Sequence, residues 1–251
     1  MAVVFSRRID GVRYEVRSAG RSLRLYTDEV MHTQYHPAHK LTRGVWDLLA
    51  LPALALPKVE RVLLLGVGGG AAIHLLRHWC PGVHITGVEL NPVHLQLAKR
   101  YFGVKGRDLT LVQGDARPFV EHYRGEPFDL VIEDLFGGSG APDRSFDADH
   151  RWCTALARLV SDQGALVINT LSHKQLRDTA LVQDRSVRKQ WSAGYRLTLP
   201  AYANVVGVFY RQPVSKAGLQ QAIRSDATRL RQERNGQLRY RIADCKAAWE
   251  K

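Results

Sequence analysis

The sequence predicts an α/β protein: a doubly wound, mostly parallel sheet of seven strands, with a small N-terminal β-strand subdomain and a basic C-terminal helical tail. Three observations predict it. From Arg61 onward, apolar runs of strand length alternate with segments of helical length. The first run, "RVLLLG", is continuously apolar, as a strand buried on both faces must be. Two late runs, "YRLTLPAY" and "NVVGVFYR", close the set without an intervening helix.

In chain order, "VVFSRRI", "VRYEVRS" and "SLRLYTD" read as short strands separated by the turn-forming "DG" and "SAGR". "EVMHTQYHPAHK" reads as an irregular lid that completes an N-terminal unit, residues 1–40. "LTRGVWDLLALPAL" is helical until Pro52 and Pro57 intervene. It opens a nucleotide-binding unit over 41–212. There "AAIHLLRHW", "PVHLQLAKRYF", "ARPFVEHY" and "DADHRWCTALARLV" are the helices. "VHITGVEL", "DLTLVQGD", "FDLVIEDLF" and "GALVINTL" are the strands, and "KQLRDTALVQDRSVRKQW" is a polar helix. Residues 213–251 form the basic tail.

The bulk composition bounds the class. A chain of 251 residues with 45% hydrophobic content can bury a full core. No apolar run reaches the roughly 18 residues of a membrane span, so no membrane partner is expected. The N-terminus turns charged before a signal-peptide core can form. Cys80, Cys153 and Cys245 are far apart and not in metal-ligand spacing, which suits a reduced, cytoplasmic protein. The net charge is +12, with much of the excess after Tyr210. That tail reads either as a solvated helix face or as a surface for nucleic acid.

The candidate site lies where such sheets bind ligands, beyond the carboxyl ends of the strands. Gly66, Gly68 and Gly70 form a tight turn at the end of the first core strand, against the free N–H groups of the next helix. Glu89 ends the second strand, 23 residues after Gly66, where a carboxylate can accept both ribose hydroxyls. Asp115 ends the third strand and can receive an adenine amino group. Leu90 and Ala116, next to these acids, complete the expected nucleoside contacts. Asp134 ends the fourth strand and faces the reacting part of the ligand. Glycine loop and ribose acid alone fit a nicotinamide dinucleotide or an S-adenosylmethionine-type ligand equally well. Acids after three successive strands favour a single nucleoside lying flat across the edge. His32, Tyr35 and His36 are expected to touch substrate in the lid. With His39 they do not make a metal set, and no metal is expected.

Residues 23–210 resemble the spermidine synthases, aminopropyltransferases built on the class I methyltransferase fold. The resemblance is carried by "LLLGVGGG", "GVELNP", "RYFGV", "LTLVQGDARPFV", "FDLVIEDLF" and "LPAYANVVGVFY". It implies S-adenosylmethionine or its decarboxylated form as donor, transfer of an aminopropyl or methyl group to an amine, and a homodimer. It also implies Asp134 and Tyr202 as catalytic residues, with Tyr202 lining the acceptor. The chain's positive balance repels a polycation, against which Glu133, Asp134 and Asp143 can form a local acidic pocket. The chain departs from the family at amine-handling positions. Gly69 stands where the family has an Asp for the donor amine, and Gly137 stands for a second Asp. Leu41 and Thr42 replace a Tyr-Gln pair, and His32 replaces a Gln. The functional expectation is a spermidine synthase-like transferase. Its alternatives are an RNA-directed methyltransferase that grips phosphate with the tail and a non-catalytic nucleoside-binding protein.

Overall fold

A computed structural model describes residues 1–137, 143–144 and 147–245. The loop residues 138–142 and 145–146, the side chain of Asp143, and Lys246 and Lys251 of the tail lie outside the described residues.

The N-terminal unit is an antiparallel sheet of four strands in sequence order: β1 (Ala2–Ile9), β2 (Val12–Ala19), β3 (Ser22–Thr27) and β4 (Val30–Tyr35). The fourth strand corrects the sequence reading, which treated this stretch as an irregular lid. A two-residue turn at Asp28 and Glu29 joins β3 to β4, and both residues have positive φ (43° and 67°). Turns of this hand usually carry Gly or Asn, so the sequence does not announce it. Asp28 compensates by accepting the Arg13 N–H at 2.9 Å.

The main unit begins with α1 (Val45–Ala50), which tightens into a 3₁₀ turn at Leu51–Ala55 where Pro52 enters. Next come β5 (Arg61–Leu65), α2 (Ala71–Trp79), β6 (His84–Glu89), α3 (Pro92–Tyr101), β7 (Leu109–Gln113), α4 (Ala116–His122) and β8 (Phe128–Glu133). Two short strands, β9 (Phe136–Gly137) and β10 (Asp143–Arg144), pair with each other. Then follow α5 (His150–Arg158), β11 (Val160–Thr170), α6 (His173–Arg177), α7 (Ala180–Gln183), α8 (Arg185–Arg188), β12 (Ala193–Thr198) and β13 (Val205–Tyr210). The expected single polar helix is therefore three short ones. Ser172 and Asp184 each accept backbone N–H groups at a helix start, and such caps break the run.

The tail holds α9 (Lys216–Arg224), α10 (Ala227–Arg234) and β14 (Arg241–Asp244). It is not purely helical, and the sheet has eight strands rather than seven. The strand order is β14-β12-β13-β11-β8-β5-β6-β7. β5 through β8 and β11 are mutually parallel, while β13 and β14 run antiparallel to their neighbours. The order reverses between β5 and β8, so the crevice for a ligand opens beyond their carboxyl ends.

Alternation along each strand feeds two cores. Val62, Leu64, Leu130 and Ile132 pack with α1, α2 and α3 on one face. Leu63, Leu65, Phe128 and Val131 pack with α4 and α5 on the other. The tail joins the first core through Leu219, Ile223, Leu238 and Ile242, all buried. A chain ending at Tyr210 would lose these residues as well as positive charge. We expect Leu219→Ala to lower the unfolding free energy by about 2–5 kcal/mol in urea titration. Truncation at Tyr210 should abolish the cooperative transition, and an unchanged midpoint in either variant would contradict this packing.

Candidate active site

The turn after β5 is organised by one carboxylate. Glu89 Oε2 accepts the N–H groups of Val67 (3.0 Å) and Gly68 (2.8 Å), and its Oε1 accepts that of Asn91 (2.8 Å). The residue is buried, and its side chain spans the ends of β5 and β6. Gly66 has φ of 86°, and a β-carbon there would collide with the Asp134 carbonyl. Only glycine lets these two strand ends approach so closely. Gly70 caps α2 and completes the turn.

The residues expected to contact a nucleoside differ in exposure. Leu90 is 67% exposed, a large apolar side chain beside the buried Glu89. Asp115 caps α4 by accepting the Arg117 N–H at 2.9 Å and remains partly exposed, with buried Ala116 behind it.

At the expected reacting side, Asp134 follows β8 and keeps partial exposure at the sheet edge. Asn169, at the end of β11, donates its side-chain N–H to Asp134 Oδ1 at 2.8 Å. Asn204 in turn donates to Asn169 Oδ1 at 3.1 Å. This chain of amides orients the carboxylate. Burial pushes the Asp134 carboxyl up to about 7, opposed by the Asn169 bond and reinforced by the charges of Glu133 and Glu89. A carboxyl titrating near neutrality can orient an ammonium group or take its proton.

Tyr202 lies in the loop between β12 and β13, half-buried, with its hydroxyl against Gly44. Burial raises its phenol, and Asp47 adds to the effect. Asp47 accepts the Thr42 N–H and hydroxyl and the Arg43 N–H, all at 2.8 Å, and burial raises its carboxyl to about 6. Leu41 and Thr42 are thus buried parts of this network.

Several expected substrate residues are placed elsewhere. Glu133 is fully buried and forms a two-pronged ion pair with Arg144 (2.6 and 2.9 Å), with Trp152 Nε1 donating at 3.3 Å. It points into the second core because residues 133 and 134 face opposite ways at a strand end. Tyr35 stacks on His74 of α2, with ring centroids 4.4 Å apart. His36 Nδ1 accepts the N–H groups of Ala38 and His39 and so closes a turn. His32 alone of the lid group lies by the site: its ring sits 4.6 Å from that of His94, and its carbonyl faces Gly68. Burial lowers both imidazoles to about 4, so neither is charged at neutrality. Among the described residues, no cluster of three His, Cys, Asp or Glu side chains could hold a metal.

Sequence reasoning missed Thr33. It is fully buried on β4, and its hydroxyl accepts the Gly69 N–H at 2.7 Å. A β-carbon at Gly69 would lie 2.8 Å from Thr33 Cβ, so Thr33 fills the space that a side chain at 69 would need. Asn169 was also missed, although a polar residue ending the apolar run "GALVIN" follows the same strand-end rule that found Asp134.

The fold and its strand-edge site define the class I methyltransferase fold, and the family model described as "Methyltransferase domain" matches residues 62–164. Within that fold the chain is similar both to spermidine synthases and to methyltransferases. A probable spermidine synthase from Corynebacterium glutamicum superposes with a TM-score of 0.71 at 14% identity, covering 100% of this chain and 93% of that one. The polyamine aminopropyltransferase of Vibrio vulnificus is 35% identical over 134 residues, 52% of this chain and 44% of that protein. The eEF1A lysine and N-terminal methyltransferase homolog of Drosophila melanogaster is 31% identical over 129 residues, 48% of this chain and 19% of that protein. The chain thus spans less than half the length of either curated relative.

The Asp134 assignment has a measurable consequence. The unfolded chain releases this proton near 3.8, whereas the folded chain holds it to about 7. Its contribution to stability is therefore full below about 4 and is lost as pH rises through 7. Asp134→Asn keeps an acceptor for Asn169 and removes that loss. At pH 8 it should be more stable than the parent by on the order of 1–3 kcal/mol, with the difference vanishing toward pH 4. Parallel urea-unfolding curves across that range would contradict the assignment.

Proposed function

We propose that the chain binds S-adenosylmethionine across Glu89 and transfers its methyl group to a nitrogen nucleophile presented to Asp134. The observation that carries this reading is the pairing of a loop-bracing carboxylate with exposed Leu90 on one side and a carboxyl titrating near 7 on the other. Glu89 would accept the ribose hydroxyls with its remaining lone pairs. Leu90 would pack on the adenine, and Asp115 would receive the adenine amino group. The sulfonium carbon would then face Asp134, where attack needs an uncharged amine with a free lone pair. A base that takes its proton near neutral pH supplies that state. The enzyme's further task is to align the two reactants and exclude water.

Methyl transfer is favoured over aminopropyl transfer by the loop itself. Thr33 occupies the space beside Gly69, so no carboxylate from that position can hold a donor amine. Glu133 is spent on Arg144 and adds no negative charge for a polycation. The aminopropyl reading draws its support from likeness to polyamine aminopropyltransferases.

Calorimetric titration of the full chain with S-adenosylmethionine and with its decarboxylated form tests the proposal. We expect the carboxylated donor to bind at least about tenfold more tightly, a difference of 1.4 kcal/mol. Glu89→Ala should weaken it by a similar factor or more. Preference for the decarboxylated donor would overturn methyl transfer, and binding of neither donor would overturn the donor site. Donor binding without labelled product on a panel of amines would leave a nucleoside-binding protein in place of an enzyme.

A further inference from the structure

Beside the Tyr202 loop lies a surface cleft of about 260 Å³ whose walls include Leu199, Pro200, Ala201, Gln237, Arg43 and Arg239. We infer that this cleft binds an oxyanion, a carboxylate or phosphate group, between Arg43 and Arg239, and that the group belongs to the acceptor substrate.

Four observations carry it. The lining contains two guanidinium groups and no carboxylate. Among the described residues neither guanidinium forms an ion pair, although the Arg43 charge acts on Asp47; Arg239 Nε donates to the Gly236 carbonyl at 2.8 Å, which orients the fork and leaves its terminal N–H groups to other partners. Guanidinium forks match carboxylate and phosphate oxygens in pairs. Second, Arg43 has φ of 58°, a region that favours Gly and Asn. Asp47 accepts the Arg43 N–H, which helps to hold this lining residue of the cleft in that conformation.

Third, the cleft adjoins the reacting edge by two separate routes. Pro200 and Ala201 lead directly into Tyr202, and the Tyr202 hydroxyl lies against Gly44, the residue after Arg43. Fourth, the cleft is smaller than a whole-substrate site and suits one charged group of a molecule whose other end reaches Tyr202. An acceptor so anchored is zwitterionic or anionic, the reverse of a polyamine, in keeping with a chain of net charge +12. That the anion belongs to the acceptor rests on the transferase reading above; the oxyanion site itself does not.

The test is calorimetric titration of the full chain with inorganic phosphate and, separately, with acetate. The proteins are the parent, Arg43→Gln, Arg239→Gln and, as a charge-matched control, Arg231→Gln on exposed α10. Saturable binding of either probe that falls at least about tenfold in the two cleft variants and not in the control supports the site. The probe that binds identifies phosphate or carboxylate as the group. Absence of saturable binding, or equal loss in all three variants, overturns it. So does binding of an oligoribonucleotide, with neither small probe bound, that the cleft variants abolish. S-adenosylmethionine titrated into the same proteins keeps the readings apart. Donor binding is expected unchanged in every variant, and its loss in the parent would count against the transferase alone.

Discussion

One carboxylate holds the carboxyl edge of the sheet together at the glycine turn. Glu89 accepts three backbone N–H groups, two from the glycine turn and one from the residue that begins the approach to α3. A glycine-rich turn has much conformational freedom to lose, and three charge-assisted bonds offset that cost at the point where the chain reverses. The turn in turn determines how closely β5 and β8 approach, because Gly66 sits against the Asp134 carbonyl and the Asp134 N–H donates to Leu65 O at 2.8 Å. The position of the Asp134 carboxylate thus follows from the same brace that shapes the glycine turn.

The small N-terminal sheet is part of this arrangement. Thr33 accepts the Gly69 N–H, Thr27 shares a hydrogen bond of 2.8 Å with His94 Nε2, and the Tyr14 hydroxyl accepts from Asn91 at 2.9 Å. Asn91 caps α3 through Val93 and His94. Each contact lands on a segment that touches Glu89, so the four-stranded sheet closes the back of the site. With both imidazoles neutral, His32 and His94 add packing there without bringing positive charge beside the brace.

Much of the main sheet was legible because its strands are apolar on both faces and end in residues of contrasting type. That contrast located Gly66, Glu89, Asp115 and Asp134. It failed where the signal is tertiary. β4 reads as irregular because its turn uses Asp28 and Glu29 in a backbone region where glycine is the usual marker. β14 is four residues with one buried side chain, Ile242, and becomes a strand only because β12 offers an edge. Thr33 could not be assigned to the site from sequence, since its role depends on a contact 36 residues away. Glu133 was misread because adjacency to Asp134 suggests a shared pocket, while the strand sends the two side chains to opposite sides.

That opposition shapes the chemistry of the edge. Three acids, Glu89 at the end of β6 and Glu133 and Asp134 at the end of β8, crowd two strand ends that flank β5, and three unpaired negative charges there would repel one another strongly in a medium of low dielectric. Each is handled differently. Glu89 is held by three backbone N–H groups. Glu133 is neutralised by Arg144, with Trp152 filling its remaining capacity, which removes it from solvent and substrate alike. Among the described residues Asp134 is hydrogen-bonded by Asn169, and burial raises its carboxyl to about 7 although the Asn169 bond and the Arg144 charge oppose the rise. Burial raises both Glu133 and Asp134, and Arg144 opposes that rise at Glu133, so the two adjacent acids are separated by their partners as well as by the direction of their side chains.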